Sequence, residues 1–278
     1  MCYDLLMVSS IEIWLMVFLF IVGAAMGSFA CCQVWRIKKS DKSKWSHCMH
    51  CGYRLRWYDN VPILSWLFLR GKCRKCHKKI GATEIWSELG SSVFFVVSFW
   101  LWPFKTELLA GNGFEIAKFV VFLLLMTVFV ILFIYDLRWK QMPMNVMWWG
   151  IGLGLVYLAI NYVGLAIAGD FSLQTLIGLA GALLMLPIFY YLMYKVSHEA
   201  LVGSGDWILC LPLALVLSDF WLGMFALFAA NILGSIVSLP ILIVKKDRHM
   251  KIPFGPFLIM GFWIVFMAQS YILALVRI

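Results

Sequence analysis

Two aspartates, Asp136 and Asp206, are the residues of this sequence whose type and position indicate catalysis. Asp206 ends the segment Gly203-Ser204-Gly205-Asp206, where a polar loop meets the apolar run 207–217, and Asp136 ends another apolar run, 116–135. A carboxylate at the edge of an apolar segment is costly to bury, so it indicates a functional site with a partner nearby. Two carboxylates that come together can share one proton, and one can then act as base and the other as acid on a water molecule. The pair therefore predicts aspartyl-protease chemistry.

Four of the eight cysteines form a second candidate site. They occur as Cys48-x2-Cys51 and Cys73-x2-Cys76, two pairs separated by 21 residues. Each such pair forms a tight turn that points both thiolates at one metal, so the spacing predicts a tetrahedral four-cysteine zinc site. Because a closed four-thiolate site leaves no open position for water, we expect the zinc to be structural.

Other arrangements of these cysteines are less favourable. Two disulfides are disfavoured in a reducing cytoplasm, and redox chemistry at a CxxC pair is typical of a βαβ context that is not seen around either pair. His47, His50 and His77 lie close enough in sequence to replace a cysteine as ligand. We favour four cysteines, with the three histidines as solvated loop residues.

The composition excludes a water-soluble globular protein. Of the 278 residues 63% are hydrophobic and 13% are charged, and the mean hydropathy is +0.91. Apolar stretches of about 20 residues cross a bilayer as helices, because lipid forces every backbone hydrogen bond to close within the segment. We predict an all-α polytopic membrane protein with about eight transmembrane helices and membrane lipid as its surroundings. The net charge of +9 does not indicate a nucleic-acid partner, since the basic residues lie in loops beside apolar runs.

The distribution of basic residues predicts the orientation. The segment 36–80 contains 13 Lys or Arg against two Asp, which places it in the cytoplasm by the positive-inside rule. Twenty of the 23 Lys and Arg fall in predicted inner loops, so Asp136 and Asp206 are expected on the cytoplasmic side. No basic residue precedes Arg36, so the first apolar run is expected to be a retained helix with the N-terminus outside rather than a signal peptide.

The sequence thus divides into three predicted parts: a first transmembrane helix, 1–35; a cytoplasmic four-cysteine zinc-binding domain, 36–84; and a membrane-embedded aspartyl peptidase domain, 85–278. The predicted transmembrane segments are 11–35, 89–104, 116–135, 144–163, 171–194, 207–217, 220–244 and 252–276.

Seven short motifs follow one another in a specific order over nearly the whole chain. They are Met26-Gly27-Ser28-Phe29, the paired CxxC, Tyr58-Asp59-Asn60-Val61-Pro62, Gly71-Lys72-Cys73-Arg74, Asp136 with Pro143 seven residues on, Gly203-x-Gly205-Asp206, and Ile252-Pro253-Phe254-Gly255-Pro256-Phe257. In this order and with this spacing the sequence resembles the type IV prepilin leader peptidases, a family of bacterial inner-membrane aspartyl proteases.

The resemblance implies a function and a set of site residues. It implies that the protein cleaves the short basic leader from type IV prepilins and pseudopilins. The cleavage occurs after a glycine, on the cytoplasmic side of the membrane. The family's two catalytic aspartates fall on Asp136 and Asp206, with Gly203 and Gly205 supporting the active site. Many members also methylate the new N-terminus with S-adenosylmethionine. This activity is associated with the cytoplasmic zinc-binding domain, here 36–84 and called the zinc loop below, and Gly71 is a candidate contributor to it.

The sequence departs from the family's usual pattern at three positions. Ile208 stands where the family usually has Lys, Met144 where it often has Asp, and Cys31 where it usually has Asn. None of these changes removes a catalytic carboxylate. Two other functions are considered: a catalytically inactive scaffold that presents the zinc module, with Ile208 as its best argument, and a transporter or ion channel that uses the two aspartates as a coupling pair. Transporter sites are typical of broken helices and internal symmetry, and neither is seen in the sequence.

Helix dipoles predict different roles for the two aspartates. Asp206 begins its apolar helix, where the positive end of the dipole favours an ionised carboxylate, whereas Asp136 ends its helix, where the dipole disfavours one. We therefore expect Asp206 to activate water and Asp136 to hold the proton.

Overall fold

The computed structural model describes residues 9–40, 45–197, 202–245 and 252–276. These residues fold into α-helices, and within them the extended backbone is limited to two isolated bridges, His47 with Arg54 and Lys72 with Lys79. The helices are α1 Ser10–Lys39, α2 Leu64–Phe68, α3 Ala82–Trp100, α4 Lys105–Leu109, α5 Gly113–Trp139, α6 Met144–Ala168, α7 Leu173–Leu183, α8 Phe189–Ser197, α9 Ser204–Leu217, α10 Phe220–Lys245, α11 Gly255–Met267 and α12 Gln269–Val276. The predicted all-α fold is confirmed.

Within the described ranges, five helical segments are long and apolar enough to cross a membrane. They are Ser10–Lys39, Gly113–Trp139, Met144–Ala168, Leu173–Ser197 and Phe220–Ile241. Helices α11 and α12 make a sixth if they count as one span, although they are bent by 69°. The protein is therefore a multi-pass membrane protein, while the predicted number of eight crossings stays a prediction.

Side-chain and backbone caps set the ends of the helices that carry the aspartates. Helix α5 begins where the Asn112 side chain accepts a hydrogen bond from the Phe114 N–H at 3.0 Å. It ends at Lys140, a left-handed residue whose N–H donates to the carbonyl of Asp136. Helix α9 ends at Leu217 with Ser218, also left-handed, as its C-cap, and Asp219 then caps α10 by accepting from the Trp221 N–H at 2.9 Å.

The chain forms two compact units, residues 1–101 and 102–278. In the first unit α1 packs directly on α3, and small residues allow this close approach. A methyl group at Gly27 would overlap the backbone carbonyl of Ser87, and the Ser87 hydroxyl donates to the Gly27 carbonyl at 2.7 Å. Gly27 of the Met26-Gly27-Ser28-Phe29 motif is thus a helix-packing residue, as small residues in membrane helices usually are.

A buried glutamate of α3 ties the loop of the first unit to this helix pair. Ile63 has a φ of 61° and a ψ of −54°, a positive-φ conformation that is costly for a β-branched residue. Its N–H donates to the Glu88 carboxylate at 2.6 Å. This charge-assisted hydrogen bond holds the turn that leads from the 3₁₀ segment Trp57–Asn60 into α2.

The second unit has an aromatic core between α5 and α11. The rings of Phe122 and Phe266 stack with centroids 4.7 Å apart, and Phe129 meets Phe262 edge-on at 5.9 Å. Apart from its exposed first residue, Ser204, helix α9 is buried or half-buried, and it packs against α6, α7 and α11. Its first turn, which carries Asp206, is therefore held by surrounding helices rather than left in a mobile loop.

Candidate functional site

Asp136 lies in the last turn of α5 and is only 5% exposed. Its carboxylate Oδ2 accepts a hydrogen bond from the backbone N–H of Gly255 at 3.1 Å. Gly255 is the first residue of α11, so the donor belongs to the positive end of a second helix. The positive end of α11 thus partly offsets the negative end of α5. An ionised Asp136 therefore costs less than its place at the end of α5 alone would indicate.

Asp206 lies in the first turn of α9 and is 8% exposed. Its Oδ2 accepts from the N–H of Gly203 at 2.9 Å, so the carboxylate reaches back to the residue that precedes the helix. This bond satisfies one of the amide hydrogens that every helix N-terminus leaves without an intrahelical acceptor. The Gly-Ser-Gly segment therefore forms a fixed cap around Asp206.

The structure brings Asp136 and Asp206 near each other, while their catalytic role stays a prediction. The two carboxylates lie close enough to interact electrostatically. Met142 connects their surroundings, since added Cβ atoms at Gly205 and Gly255 would both contact its side chain. Because two adjacent negative charges repel, such a pair favours a state in which one proton is shared.

Sequence reasoning missed the part that Gly255 takes in this site. The motif 252–257 carries no chemistry of its own, and Gly255 is 119 residues from Asp136. The available signal was Gly255-Pro256, a sequence typical of a helix start with proline in the first turn. That signal predicts free backbone N–H groups, but not which carboxylate they meet.

The four cysteines of the two CxxC pairs converge in the first unit. The Sγ atoms of Cys48, Cys51, Cys73 and Cys76 all lie within 4.8 Å of one another, and those of Cys48 and Cys76 are 3.9 Å apart. A tetrahedral zinc with Zn–S distances of about 2.3 Å places sulfur atoms about 3.8 Å apart. The cluster therefore fits a metal such as zinc.

The two pairs lie in turns with the same backbone hydrogen bonds. In the first turn the Cys48 N–H donates to the Tyr53 carbonyl at 2.8 Å and the Gly52 N–H to the Cys48 carbonyl at 2.9 Å. In the second turn Cys73 and His77 repeat this pattern, and His77 takes the left-handed conformation of Gly52, with φ of 56° and 67°. His77 thus occupies a turn position next to the cluster rather than a ligand position within it.

The environment of Cys73 favours its thiolate. Burial raises the pKa of this thiol, whereas hydrogen bonds from the backbone of Cys76 and Lys75 and from neighbouring thiols lower it, to about 7. Thiolate is the form that binds metal, so these backbone donors prepare the turn for a cation.

An ion pair joins the second turn to the motif at residues 58–62. Arg74 Nε donates to the buried Asp59 carboxylate at 2.7 Å, and this contact raises the pKa of Arg74. The Arg56 N–H donates to the same carboxylate at 3.2 Å. Asp59 is therefore a structural centre of the cysteine loop.

Gly71 has a conformation and a packing that require glycine. Its φ is +64°, and a Cβ there would lie 2.9 Å from the ring of Trp66. Its carbonyl accepts from the Ile80 N–H at 2.7 Å, which closes the loop around the second cysteine pair. Trp66 thus covers Gly71 on the side where a Cβ would lie. A contribution of Gly71 to methylation stays a prediction.

Comparison with known proteins gives the chain's relatives. The family model for the bacterial peptidase A24 N-terminal domain matches residues 21–102. A prepilin leader peptidase/N-methyltransferase of Xanthomonas campestris is 30% identical over 230 residues, which are 80% of this chain and 71% of the relative. Proteins of the same name from Pseudomonas putida and Legionella pneumophila are 29% and 28% identical, over 79% and 87% of this chain and 70% and 81% of theirs. No solved structure matches.

The family model covers the part with the cysteine cluster, and the relatives extend the match across the part that carries the aspartates. This agrees with the order of motifs along the sequence. By its similarity to the Xanthomonas campestris protein over most of both chains, the chain belongs to the prepilin leader peptidase family.

Proposed function

We propose that the protein cleaves the basic leader from type IV prepilins and pseudopilins, after a glycine, with Asp136 and Asp206 as the two catalytic residues. The observation that carries the proposal is the meeting of these carboxylates in one buried site. The names of the relatives support the substrate class. The two-carboxylate arrangement supports the aspartic mechanism, because a shared proton supplies the acid and the base that amide hydrolysis needs.

In the proposed reaction Asp206 begins ionised and Asp136 begins protonated. Asp206 takes a proton from a water molecule as the water oxygen attacks the scissile carbonyl carbon, and Asp136 gives its proton to the carbonyl oxygen. The tetrahedral diol then collapses. Asp206 passes its proton to the leaving amine, Asp136 recovers one from a diol hydroxyl, and both carboxyl groups return to their starting states.

The surroundings of the pair support this division of roles. Asp206 lies at the positive end of α9 and accepts from Gly203, which stabilises its ionised form. Asp136 lies between opposing dipoles, the negative end of α5 and the positive end of α11. Its remaining preference for the proton follows from burial beside a second negative charge.

The zinc module and the second activity complete the proposal. Cys48, Cys51, Cys73 and Cys76 would hold one structural zinc, which supplies a fold to the loop and no chemistry to the hydrolysis. The relatives' names support N-methylation of the new N-terminus, for which S-adenosylmethionine would be the methyl donor. We place the zinc loop and the active site on the cytoplasmic side of the bacterial inner membrane, with the N-terminus outside, on the charge distribution.

The test is cleavage of a synthetic prepilin leader with glycine before the scissile bond, by purified protein in detergent, read by mass spectrometry. Wild type should cleave after that glycine. Asp136→Asn and Asp206→Asn should each lose at least about 10³-fold in rate, because acid and base act as a unit. The same spectra report an added methyl group when S-adenosylmethionine is supplied.

The matched control is Asp170→Asn, which changes an exposed aspartate in the turn after α6 and should leave the rate unchanged. Absence of cleavage by folded, zinc-loaded wild type would contradict the proposal and favour the inactive scaffold. If Asp206→Asn kept more activity than Asp136→Asn at every pH, the roles of the two aspartates would be reversed.

A further inference from the structure

A buried tyrosine and asparagine form a polar pair in the second unit that the proposed mechanism does not use. Tyr190 is 2% exposed and lies in α8, directly after the π-helical turn Leu184–Ile188. Asn231 of α10 donates through Nδ2 to the Tyr190 hydroxyl oxygen at 2.9 Å and to the Leu227 carbonyl at 2.8 Å. The bond to Tyr190 joins α10 to α8.

This hydrogen bond fixes the direction of the tyrosine proton. Both Nδ2 hydrogens of Asn231 are used, one on a backbone carbonyl and one on the phenol oxygen. The phenol therefore acts as acceptor toward Asn231, and its own hydrogen must point away from the asparagine. A buried O–H group with no acceptor loses a hydrogen bond that water would otherwise supply.

Tyr190 borders both halves of the aspartate site. Its ring centroid lies 5.7 Å from that of Phe254, the residue before the Gly255 whose N–H donates to Asp136. The phenol also interacts electrostatically with the Asp206 carboxylate and with Cys210, one turn further along α9. Of these neighbours the Asp206 carboxylate is the strongest hydrogen-bond acceptor.

The π-helical turn explains why a tyrosine of α8 can lie here. Such turns insert one residue into a helix, change the direction of the side chains that follow, and are frequent at functional sites. Pro187 within the turn lacks an N–H, which makes an interruption of the α-helical ladder favourable at this point. Helix α8 contacts α9 directly, so the change of direction is set where the two helices meet.

We propose that Tyr190 is a positioning residue of the peptidase site, whose hydroxyl, directed by Asn231, donates a hydrogen bond to Asp206 when substrate is bound. This inference rests on the proposed function. Within the described part of the chain, Asp206 accepts from the Gly203 N–H, and an ionised carboxylate has room for further donors. A second donor would hold Asp206 ionised and aimed at the water.

The alternative is that Tyr190 and Asn231 only fasten α8 to α10. The pH dependence separates the two roles, because loss of a donor makes an ionised carboxylate less favourable. Among the residues that the structure describes, the titratable groups that interact with Asp206 are Asp136, Cys210 and Tyr190. Removal of the Tyr190 hydroxyl should therefore move the acid limb of kcat/KM to higher pH, whereas a loss of helix packing alone should leave that limb in place.

The experiment measures leader cleavage across pH by purified full-length Tyr190→Phe. We expect kcat to fall about 10- to 100-fold, as for loss of a hydrogen bond to a charged group, with KM nearly unchanged. The matched control is Tyr157→Phe, another buried tyrosine of the same unit, whose ring contacts Phe266, three turns along α11 from Gly255. It should keep the wild-type acid limb.

A second variant, Asn231→Leu, keeps the phenol and removes the group that directs it. It should shift the acid limb in the same direction as Tyr190→Phe but by less, and it carries the test if Tyr190→Phe does not fold. A wild-type rate and acid limb in either folded variant overturns the inference, and so does a slower rate with an unmoved limb. Failure of wild type to cleave would instead count against the proposed function.

Discussion

At the residue scale, the two aspartates differ in the helix that donates to each of them. Asp206 accepts from the loop of its own helix, whereas Asp136 accepts from Gly255 at the start of α11. The second contact joins residues far apart in sequence and fixes the Asp136 carboxylate against the helix dipole that would disfavour its charge. Gly255 thus holds the Asp136 carboxylate in position and reduces the cost of a charge on it.

The first prediction concerns Gly255→Ala. An added Cβ would lie 2.9 Å from Asp136 Oδ2 and would overlap Met142, so the carboxylate must move. Displacement of a catalytic group by about 1 Å can cost about 100-fold in rate, and we expect kcat to fall at least about 10-fold while the protein stays folded. Leader cleavage and thermal unfolding in detergent measure the two effects.

The control for Gly255→Ala is Gly152→Ala, an exposed glycine of α6 with nothing within 4 Å of an added Cβ. This variant should keep the wild-type rate. Equal activity of Gly255→Ala and wild type would mean that the Asp136 carboxylate is not held by this backbone N–H during the reaction.

At the element scale, the cysteine loop is held together by two identical turns. Each turn provides two thiols on a fixed backbone, and the Arg74–Asp59 pair ties the second turn to the 3₁₀ segment. Such a loop has little apolar core of its own, since Trp57 and Phe68 are exposed. Its fold should therefore depend on the metal.

The second prediction is that Cys73→Ser loses the metal and opens this loop. Cys73 is the buried member of the cluster, so a metal there is enclosed on its side. We expect the zinc content to fall from about one ion per chain to below about one tenth, because three thiolates no longer close a structural site. Metal analysis measures the zinc, and trypsin digestion should become faster in the basic segment 36–80.

Cys32→Ser is the control, since Cys32 lies outside the four-cysteine cluster. This variant should retain its zinc and its resistance to trypsin. Full zinc content in Cys73→Ser would mean that a histidine completes the site, as the nearby His50 and His77 make chemically feasible.

The elements also show where sequence reasoning succeeds and where it stops. Helix α6 begins at Met144 and α9 ends at Leu217, as predicted, because Pro143 and Ser218-Asp219 are local signals. Helix α3 begins at Ala82 rather than near Leu89, because the polar residues of its first turns are satisfied by partners distant in sequence. Ser87 bonds to Gly27 and Glu88 bonds to Ile63, and no hydropathy pattern contains those contacts.

The same limit applies to the candidate site. The residue types of Asp136, Asp206 and the four cysteines were enough to single out both candidate sites, since acid-base catalysis and metal binding require those groups. The Gly255 donor, the π-helical turn at Pro187 and the bend between α11 and α12 depend on packing between helices. Apolar sequence is nearly uniform through these regions, so its periodicity carries no signal for them.

At the scale of the whole molecule, the number of membrane crossings depends on two elements. Helix α9 has 14 residues and is therefore about 21 Å long, shorter than a hydrocarbon core of about 30 Å. Its burial by other helices lets it lie at membrane depth without crossing the full core. Helices α11 and α12 meet at a bend of 69°, so they form either one broken span or a segment that returns to the side it entered.

The third prediction decides between these arrangements by the location of a reporter joined after residue 278. With α11 and α12 as one span, the predicted orientation puts this end outside, where alkaline phosphatase is active and green fluorescent protein is dark. Fusions at residue 141, in the loop after α5, and at residue 170, in the turn after α6, give the inner and outer references. We expect the end after residue 278 to match residue 170, because basic residues cluster just before α11 and the positive-inside rule predicts that side to be cytoplasmic. A signal that matched residue 141 would make α11 and α12 a re-entrant pair, and the N-terminus of α11 that holds Asp136 would then belong to a segment that dips into the membrane from the active-site side.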